Sequence, residues 1–374
     1  MSAAAIPVIS RRSGVSVVIP VHNGDRWLAQ VLDAVLADAD GRPVEIIAVD
    51  DGSRDRSAEI LARYAGEGHV TIVPGPQRGA AAALNAGLRR ATHPVVCQID
   101  QDVVIRRGWI GTLTAALEDP AVAAAQGYYE TPADASPWAR VMGLDLQARY
   151  QPMLTRNVNH VCTGNTAYRT SALADIGYFD ESLGYGYDND VSYRLVDAGY
   201  RLVICREARS VHYWRDGWRA YAQQQYGFGY GRLDLVAKHR HRLAGDDVSR
   251  LSMMLHAPLF TLALLSLVLS AVMTIAGFSA WIPLAAAAAI LTVLGVERFV
   301  VGARAAVAFG DAAGWWFVPV HFTRNAAWAI AVIVWLGRRL RGVASEPAHS
   351  MHPRPASPSL VRGYRETRID EQGR

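Results

Sequence analysis

Val44-Glu45-Ile46-Ile47-Ala48-Val49-Asp50-Asp51-Gly52-Ser53 and, further along, Val95-Val96-Cys97-Gln98-Ile99-Asp100-Gln101-Asp102 each run from a short apolar, β-branched stretch straight into acidic residues. Runs of this length bounded by acidic residues and glycine read as buried parallel strands ending in loops. In open α/β sheets the ligand crevice lies outside the carboxyl ends of the strands. Two strands that deliver carboxylates to one sheet edge make a cation site suited to a nucleoside diphosphate. That points to group transfer from an activated donor.

Outward from these two strands, apolar runs at 15–21 and 70–73 predict further strands, and helical spacing at 27–36, 57–64 and 80–91 predicts the connections. The alternation β-α-β-α-β-α-β implies an α/β fold, a three-layer α/β/α sandwich with a mostly parallel sheet. The composition changes near Arg250. Residues 251–277 are almost uninterruptedly apolar, enough to cross a bilayer core of about 30 Å. Residues 281–296 and 315–336 are further candidates, the latter with tryptophans at both ends as interfacial belts place them. The expected organisation is an N-terminal tail (1–13), an α/β domain (14–245), a membrane region of two to three spans (246–340) and an Arg-, Pro- and Ser-rich disordered tail (341–374). Three crossings leave Arg338, Arg339 and Arg341 outside, against the positive-inside tendency, if the α/β domain is cytosolic. The stretch around Glu297, Arg298 and Arg304 is the expected departure from a simple crossing.

The formal charge is +4, and lysine occurs once, at Lys238, with arginine supplying the rest. Such a surface suits anionic lipid; no basic helix or aromatic RNA motif speaks for nucleic acid. The cysteines Cys97, Cys162 and Cys205 are odd in number and lack zinc spacing, as in a reducing, cytosolic domain. The first residues carry no apolar core after their charges, so a cleaved signal peptide is not expected.

Asp100 and Asp102 are two apart, so in an extended chain both side chains leave one face and can approach one Mg2+ or Mn2+. His212, after the apparent strand 201–205, is a candidate third ligand as a neutral imidazole. The first strand runs into Pro20-Val21-His22-Asn23-Gly24, where His22 and Asn23 either contact a base or ribose or simply form a turn. Asp51 either caps the next helix or, with Asp50, grips a nucleobase. In Gly184-Tyr185-Gly186-Tyr187-Asp188-Asn189-Asp190 a carboxylate either serves as general base for an acceptor hydroxyl or caps a helix. The aromatic stretch from Tyr213 to Phe228 serves equally for stacking on sugars or for anchoring beside a membrane.

The ordered set Val17-Val18-Ile19-Pro20-Val21-His22-Asn23, Val49-Asp50-Asp51-Gly52-Ser53-Arg54-Asp55, Asn85-Ala86-Gly87, Ile99-Asp100-Gln101-Asp102, Thr163-Gly164-Asn165 and Tyr187-Asp188-Asn189-Asp190-Val191-Ser192-Tyr193-Arg194-Leu195 resembles the family 2 glycosyltransferases, inverting enzymes of GT-A fold. The resemblance covers about residues 14 to 235. It implies a UDP- or GDP-sugar donor bound by Pro20, His22, Asn23, Asp50, Asp51 and Asp100, and a metal held by Asp100, Asp102 and His212. It further implies a base at Asp188 or Asp190, and acceptor contacts at Gly164, Asn165 and Trp214. Tyr187 stands where the family usually has Glu, and Leu84 where it often has Arg. The Gln-x-x-Arg-Trp signature of processive members is missing, which implies addition of one or few sugars. The C-terminal spans resemble members of the inner membrane whose cytoplasmic domain acts on lipid-linked or cell-envelope glycans. The alternatives are a silent membrane scaffold and, less favoured, a nucleotide-dependent oxidoreductase on a Rossmann sheet, since Val21-His22-Asn23-Gly24-Asp25 is not Gly-x-Gly-x-x-Gly.

Overall fold

A computed structural model describes residues 8–342; the rest of the expected C-terminal tail lies outside the described residues. Strands β1 (Val15–Val21), β2 (Val44–Asp50), β3 (Val70–Pro74) and β4 (Val95–Ile99) alternate with helices α1 (Leu28–Ala37), α2 (Ser57–Gly66) and α3 (Ala80–Leu88). β1 pairs in parallel with both β2 and β4, and β2 with β3. α1 buries Leu28, Val31, Leu32 and Val35, the i, i+3, i+4, i+7 stripe of a helix packed on a sheet. α3 lies close against the sheet because Gly87 has no side chain to meet Val18 and Val49.

The second half comprises β5 (Val103–Ile105), α4 (Trp109–Ala116), β6 (Val122–Glu130), α5 (Pro137–Tyr150), β7 (Asn165–Arg169), α6 (Thr170–Asp175), α7 (Tyr187–Asp197), β8 (Arg201–His212) and α8 (Gly217–Lys238). The sheet order is β3-β2-β1-β4-β7-β6-β8-β5. The sheet is mostly parallel, as expected, and β6 also pairs in parallel with β8; the exceptions are β7, antiparallel to β4 and β6, and β5, antiparallel to β8. The first four strands do form the parallel half that their apolar runs encode. β7 is polar in sequence, yet all five of its residues are buried, so nothing in its pattern announced a central strand. Between β1 and β4 the strand order reverses, and there the carboxyl ends open a crevice.

Three further helices, α9 (Leu251–Ile275), α10 (Trp281–Phe309) and α11 (Phe317–Leu340), follow the α/β domain. With the short turn before α11 included, all three segments are long and apolar enough to cross a membrane. They are not equivalent. Only 17% of the apolar window of α9 and of α10 is buried, against 44% for the third. α11 lies along α8: Trp328 Nε1 donates to Gln225 Oε1 (3.3 Å), Trp335 Nε1 to Asp234 Oδ1 (2.8 Å) and Arg338 to the Tyr230 hydroxyl (3.3 Å). α10 continues as one helix through Glu297, Arg298 and Arg304. No break in α10 marks the departure from a simple crossing expected there; what sets α11 apart is that a helix of the α/β domain, α8, is its partner.

Candidate active site

Three strand ends converge at the crevice. Gln101, just beyond β4, accepts from His22 N (2.8 Å) and donates to His22 O (3.0 Å), tying β4 to the end of β1. Asn23 takes φ 53°, a left-handed conformation that Asn tolerates better than most residues. Its Oδ1 accepts from Arg54 N (2.8 Å) and its Nδ2 meets His22 Nε2 (3.0 Å). The Asn23 side chain is thus spent inside the loop pair, and the turn reading of Asn-Gly describes it better than a base contact. Asp50 Oδ1 accepts from Ser53 N (2.9 Å), while both Asp51 oxygens take the amides of Gln77 (2.6 Å) and Gly79 (3.2 Å). Asp51 shapes the floor of the crevice by fixing the loop before α3, and Pro20 sits in register with Val49 beside it.

Asp100 and Asp102 face a cavity of about 470 Å³ together with His212, Trp214 and Asp188. The ladder explains the position of His212: Val103 pairs with His212 across β5 and β8, which brings its Nε2 to 3.5 Å from Asp102 Oδ1. Burial, reinforced by the charge of Asp102, pushes Asp100 up to about 6. Burial opposes the charge of Asp102, but His212 and Arg215 together with backbone hydrogen bonding hold that carboxyl below its ordinary value. His212 Nδ1 is buried without a hydrogen-bond partner. Two enclosed carboxylates with an imidazole beside Asp102 are the oxygen and nitrogen donor types that a hard divalent cation takes, although the ligand atoms of the three do not all lie within 4.8 Å of one another.

Gly164 is what places Asp100. Its carbonyl accepts from Asp100 N (3.2 Å), its N–H donates to Gln98 Oε1, and Gln98 Nε2 donates to Asp100 Oδ1 (2.8 Å). At φ +86° a Cβ here would overlap the Asp100 carboxylate. Gly164 therefore fixes the Asp100 side of the cavity. Asn165 is not an acceptor contact: it is fully buried and its Oδ1 accepts from Trp109 Nε1 (2.5 Å). Trp214 does line the cavity, with Nε1 donating to Thr131 Oγ1 (2.8 Å).

The two candidate bases part company on α7. Asp188, in the first turn, keeps one quarter of its side chain exposed and has His160 Nε2 at 3.5 Å. Asp190 is fully buried and gripped by Arg194 (2.7 Å), Lys238 (2.6 Å) and His239 (2.8 Å). A carboxylate so enclosed cannot reach an acceptor hydroxyl, so Asp190 is corrected to a structural tie between α7 and the end of α8. His160, Cys162 and Asp188 gather their ligand atoms within 4.8 Å. Burial pushes the Cys162 thiol up to about 12, and a protonated thiol is a poor metal ligand.

Residues 16–177 match the model of glycosyl transferase family 2. This region is a family 2 glycosyltransferase domain. The pre-mycofactocin glycosyltransferase of Mycobacterium tuberculosis is 31% identical over 239 residues, covering 62% of this chain and 49% of the relative. The undecaprenyl-phosphate 4-deoxy-4-formamido-L-arabinose transferase of Pectobacterium atrosepticum is 42% identical over 94 residues, 24% of this chain and 29% of that one. The chain spans about half the length of the first of these curated relatives. Among solved structures, a mannosyltransferase from Pyrobaculum calidifontis in complex with GDP-Man and Mn2+ superposes with a TM-score of 0.56 at 20% identity, covering 87% of both chains. That likeness establishes the GT-A fold.

Two residues that touch the candidate carboxylates escaped sequence reasoning. Gln98 looks like an interior strand residue and His160 like an isolated loop histidine. Only the ladder and the fold of 158–164 against α7 bring them to Asp100 and Asp188.

Proposed function

We propose that this chain is a metal-dependent, inverting, non-processive glycosyltransferase that moves a sugar from a UDP- or GDP-sugar to a hydroxyl of a lipid-linked or cell-envelope glycan. The observation that carries the reading is one cavity shared by Asp100, Asp102 and Asp188 that continues to Met253, Met254 and Trp328 on the membrane-type helices. The relative acting on undecaprenyl phosphate and the structural neighbour holding GDP-Man and Mn2+ support the same substrate classes.

Asp50 and the loop fixed by Asp51 would receive the nucleoside. Asp100, Asp102 and His212 would hold Mg2+ or Mn2+, which when bound offsets the charge of the departing diphosphate. Asp188 accepts the proton of the acceptor hydroxyl as its oxygen attacks the anomeric carbon. The bond to the nucleoside diphosphate breaks on the opposite face, which inverts the anomeric centre. His160 orients the Asp188 carboxylate from the buried side. Trp214 offers an aromatic face to the acceptor.

The α9–α10 hairpin crosses the bilayer and α11 lies at its surface. At about 1.5 Å per residue, the stretches 256–275 and 281–297 measure about 24–29 Å, close to a hydrocarbon core of about 30 Å. Both ends of the hairpin then face the cytosol with the catalytic domain, and Arg338, Arg339 and Arg341 obey the positive-inside tendency. The test is incubation of the purified protein with radiolabelled nucleotide sugars and membrane lipid extract. Label should enter the lipid phase only with a divalent cation; donor that stays uncleaved with every sugar would favour a silent scaffold.

A further inference from the structure

The membrane-side wall of the cavity carries a charge cluster that the transfer chemistry does not use. Asp145 on α5 is buried and accepts from Arg149 (2.9 Å), with His321 Nε2 at 3.4 Å and Arg298 at 3.9 Å. Arg298 also pairs with Glu297, whose other oxygen lies 3.3 Å from His256 Nε2. Arg324, only 7% exposed, forms no ion pair among the described residues. Its guanidinium reaches His256 Nδ1 at 3.0 Å, and Asn325 Oδ1 only at 3.4 Å. Since Arg324 donates to Nδ1, His256 is neutral and turns its Nε2–H to Glu297.

Three guanidiniums thus face two carboxylates. One positive charge is left over inside the protein, and protonation of His321 would only add to it. Arg324 feels the charge of Asp145 only from beyond ion-pair distance, and burying a cation without a close partner is costly. Asn325, 1% exposed, also has an amide nitrogen without a partner. Arg324 and Asn325 both line the cavity that holds Asp102 and Asp188, beside Met253, Met254 and Ala257. The level of His256 and Glu297 is one bilayer core away from the α9–α10 turn, which is the depth of lipid phosphates.

We infer that Arg324 and Asn325 anchor the phosphate of a lipid-linked acceptor, whose hydrocarbon chain leaves along α9 while its sugar-accepting end points to Asp188. The inference rests on the membrane-bound transferase reading given above. It explains why α11 is held against α8: the docking places Arg324 in the cavity wall.

The test uses the full chain in detergent and three probes: farnesyl phosphate, farnesol and inorganic phosphate. Wild type should bind farnesyl phosphate at least tenfold more tightly than either other probe. Arg324→Gln should lose at least tenfold in farnesyl phosphate affinity, and Arg324→Lys should keep most of it. Unchanged binding by folded Arg324→Gln, or equal binding of farnesol, would overturn the anchor. Equal binding of inorganic phosphate would overturn the lipid assignment. Thermal melting reports whether each variant is folded, and Mn2+-dependent nucleotide binding in the same samples reports the donor site. A wild type that binds farnesyl phosphate but no nucleotide would sink the transferase reading and leave the anchor standing.

Discussion

Gly164→Ala separates the architecture of the metal side from ordinary backbone strain. Gly164 sits at φ +86°, where alanine costs about 1–2 kcal/mol. Its new methyl would also displace the Asp100 carboxylate, which Gln98 otherwise holds in place. Loss of a ligand's orientation typically weakens metal binding about 10–100-fold. Gly177 supplies the control, because at φ +78° it meets nothing within 4 Å. Gly177→Ala should therefore lower the melting temperature by a few degrees and leave nucleotide binding alone. Gly164→Ala should show a similar or larger melting shift, plus a ten- to hundredfold rise in the Mn2+ concentration that half-saturates nucleotide binding. Calorimetric titration of Mn2+ in the presence of UDP and of GDP measures it. Equal Mn2+ dependence in both variants would refute the placement of Asp100 by Gly164.

His160→Gln should lower kcat about tenfold while the donor Kd stays put, since His160 touches Asp188 and not the nucleotide crevice; steady-state kinetics with varied donor checks this. Asp246 accepts from Tyr193 (2.6 Å), Arg232 (3.0 Å) and Ser249 N (2.6 Å). Asp246→Ala strands the buried Arg232 and should cost about 3–5 kcal/mol in thermal unfolding. Burial opposes its charge, but His160 and Arg232 more than offset this and hold Asp246 at about 2 against an ordinary 3.8. That depression is worth about 2 kcal/mol. It is present above about pH 4 and lost as pH falls toward 2, so acid unfolding in that window should be shallower in the variant. Cysteines introduced at Gly277 and Gly342 should label from opposite sides of sealed vesicles; labelling from one side would contradict a crossing hairpin with α11 at the surface.

How legible the molecule was in its sequence differs from element to element. β1, β2 and β4 are near-continuous apolar runs, broken within by Ser16, Glu45 and Gln98, because parallel strands covered by helices on both faces bury most of their side chains. β6 reads Val-Ala-Ala-Ala-Gln-Gly-Tyr-Tyr-Glu over 122–130, and alanine is a weak strand signal. β7 hides differently, because two of its polar side chains are tied to loops outside the strand: Thr166 donates to Cys162 O (2.6 Å) and Arg169 to Leu117 O (2.7 Å). Asp188 and Asp190 are chemically identical and two residues apart. Only Lys238 and His239 at the far end of α8, together with Arg194, decide which is locked away. The same holds for α11, whose apolar composition matches a span while its docking depends on where α8 lies.

In the proposed mechanism Asp188 takes the acceptor proton in a site whose donor end works without it. Single-turnover transfer by Asp188→Asn, loaded with Mn2+ and a nucleotide sugar, tests this most directly. Turnover should fall about 10²–10⁴-fold with the nucleotide-sugar Kd unchanged. Turnover within a few-fold of wild type would contradict the account.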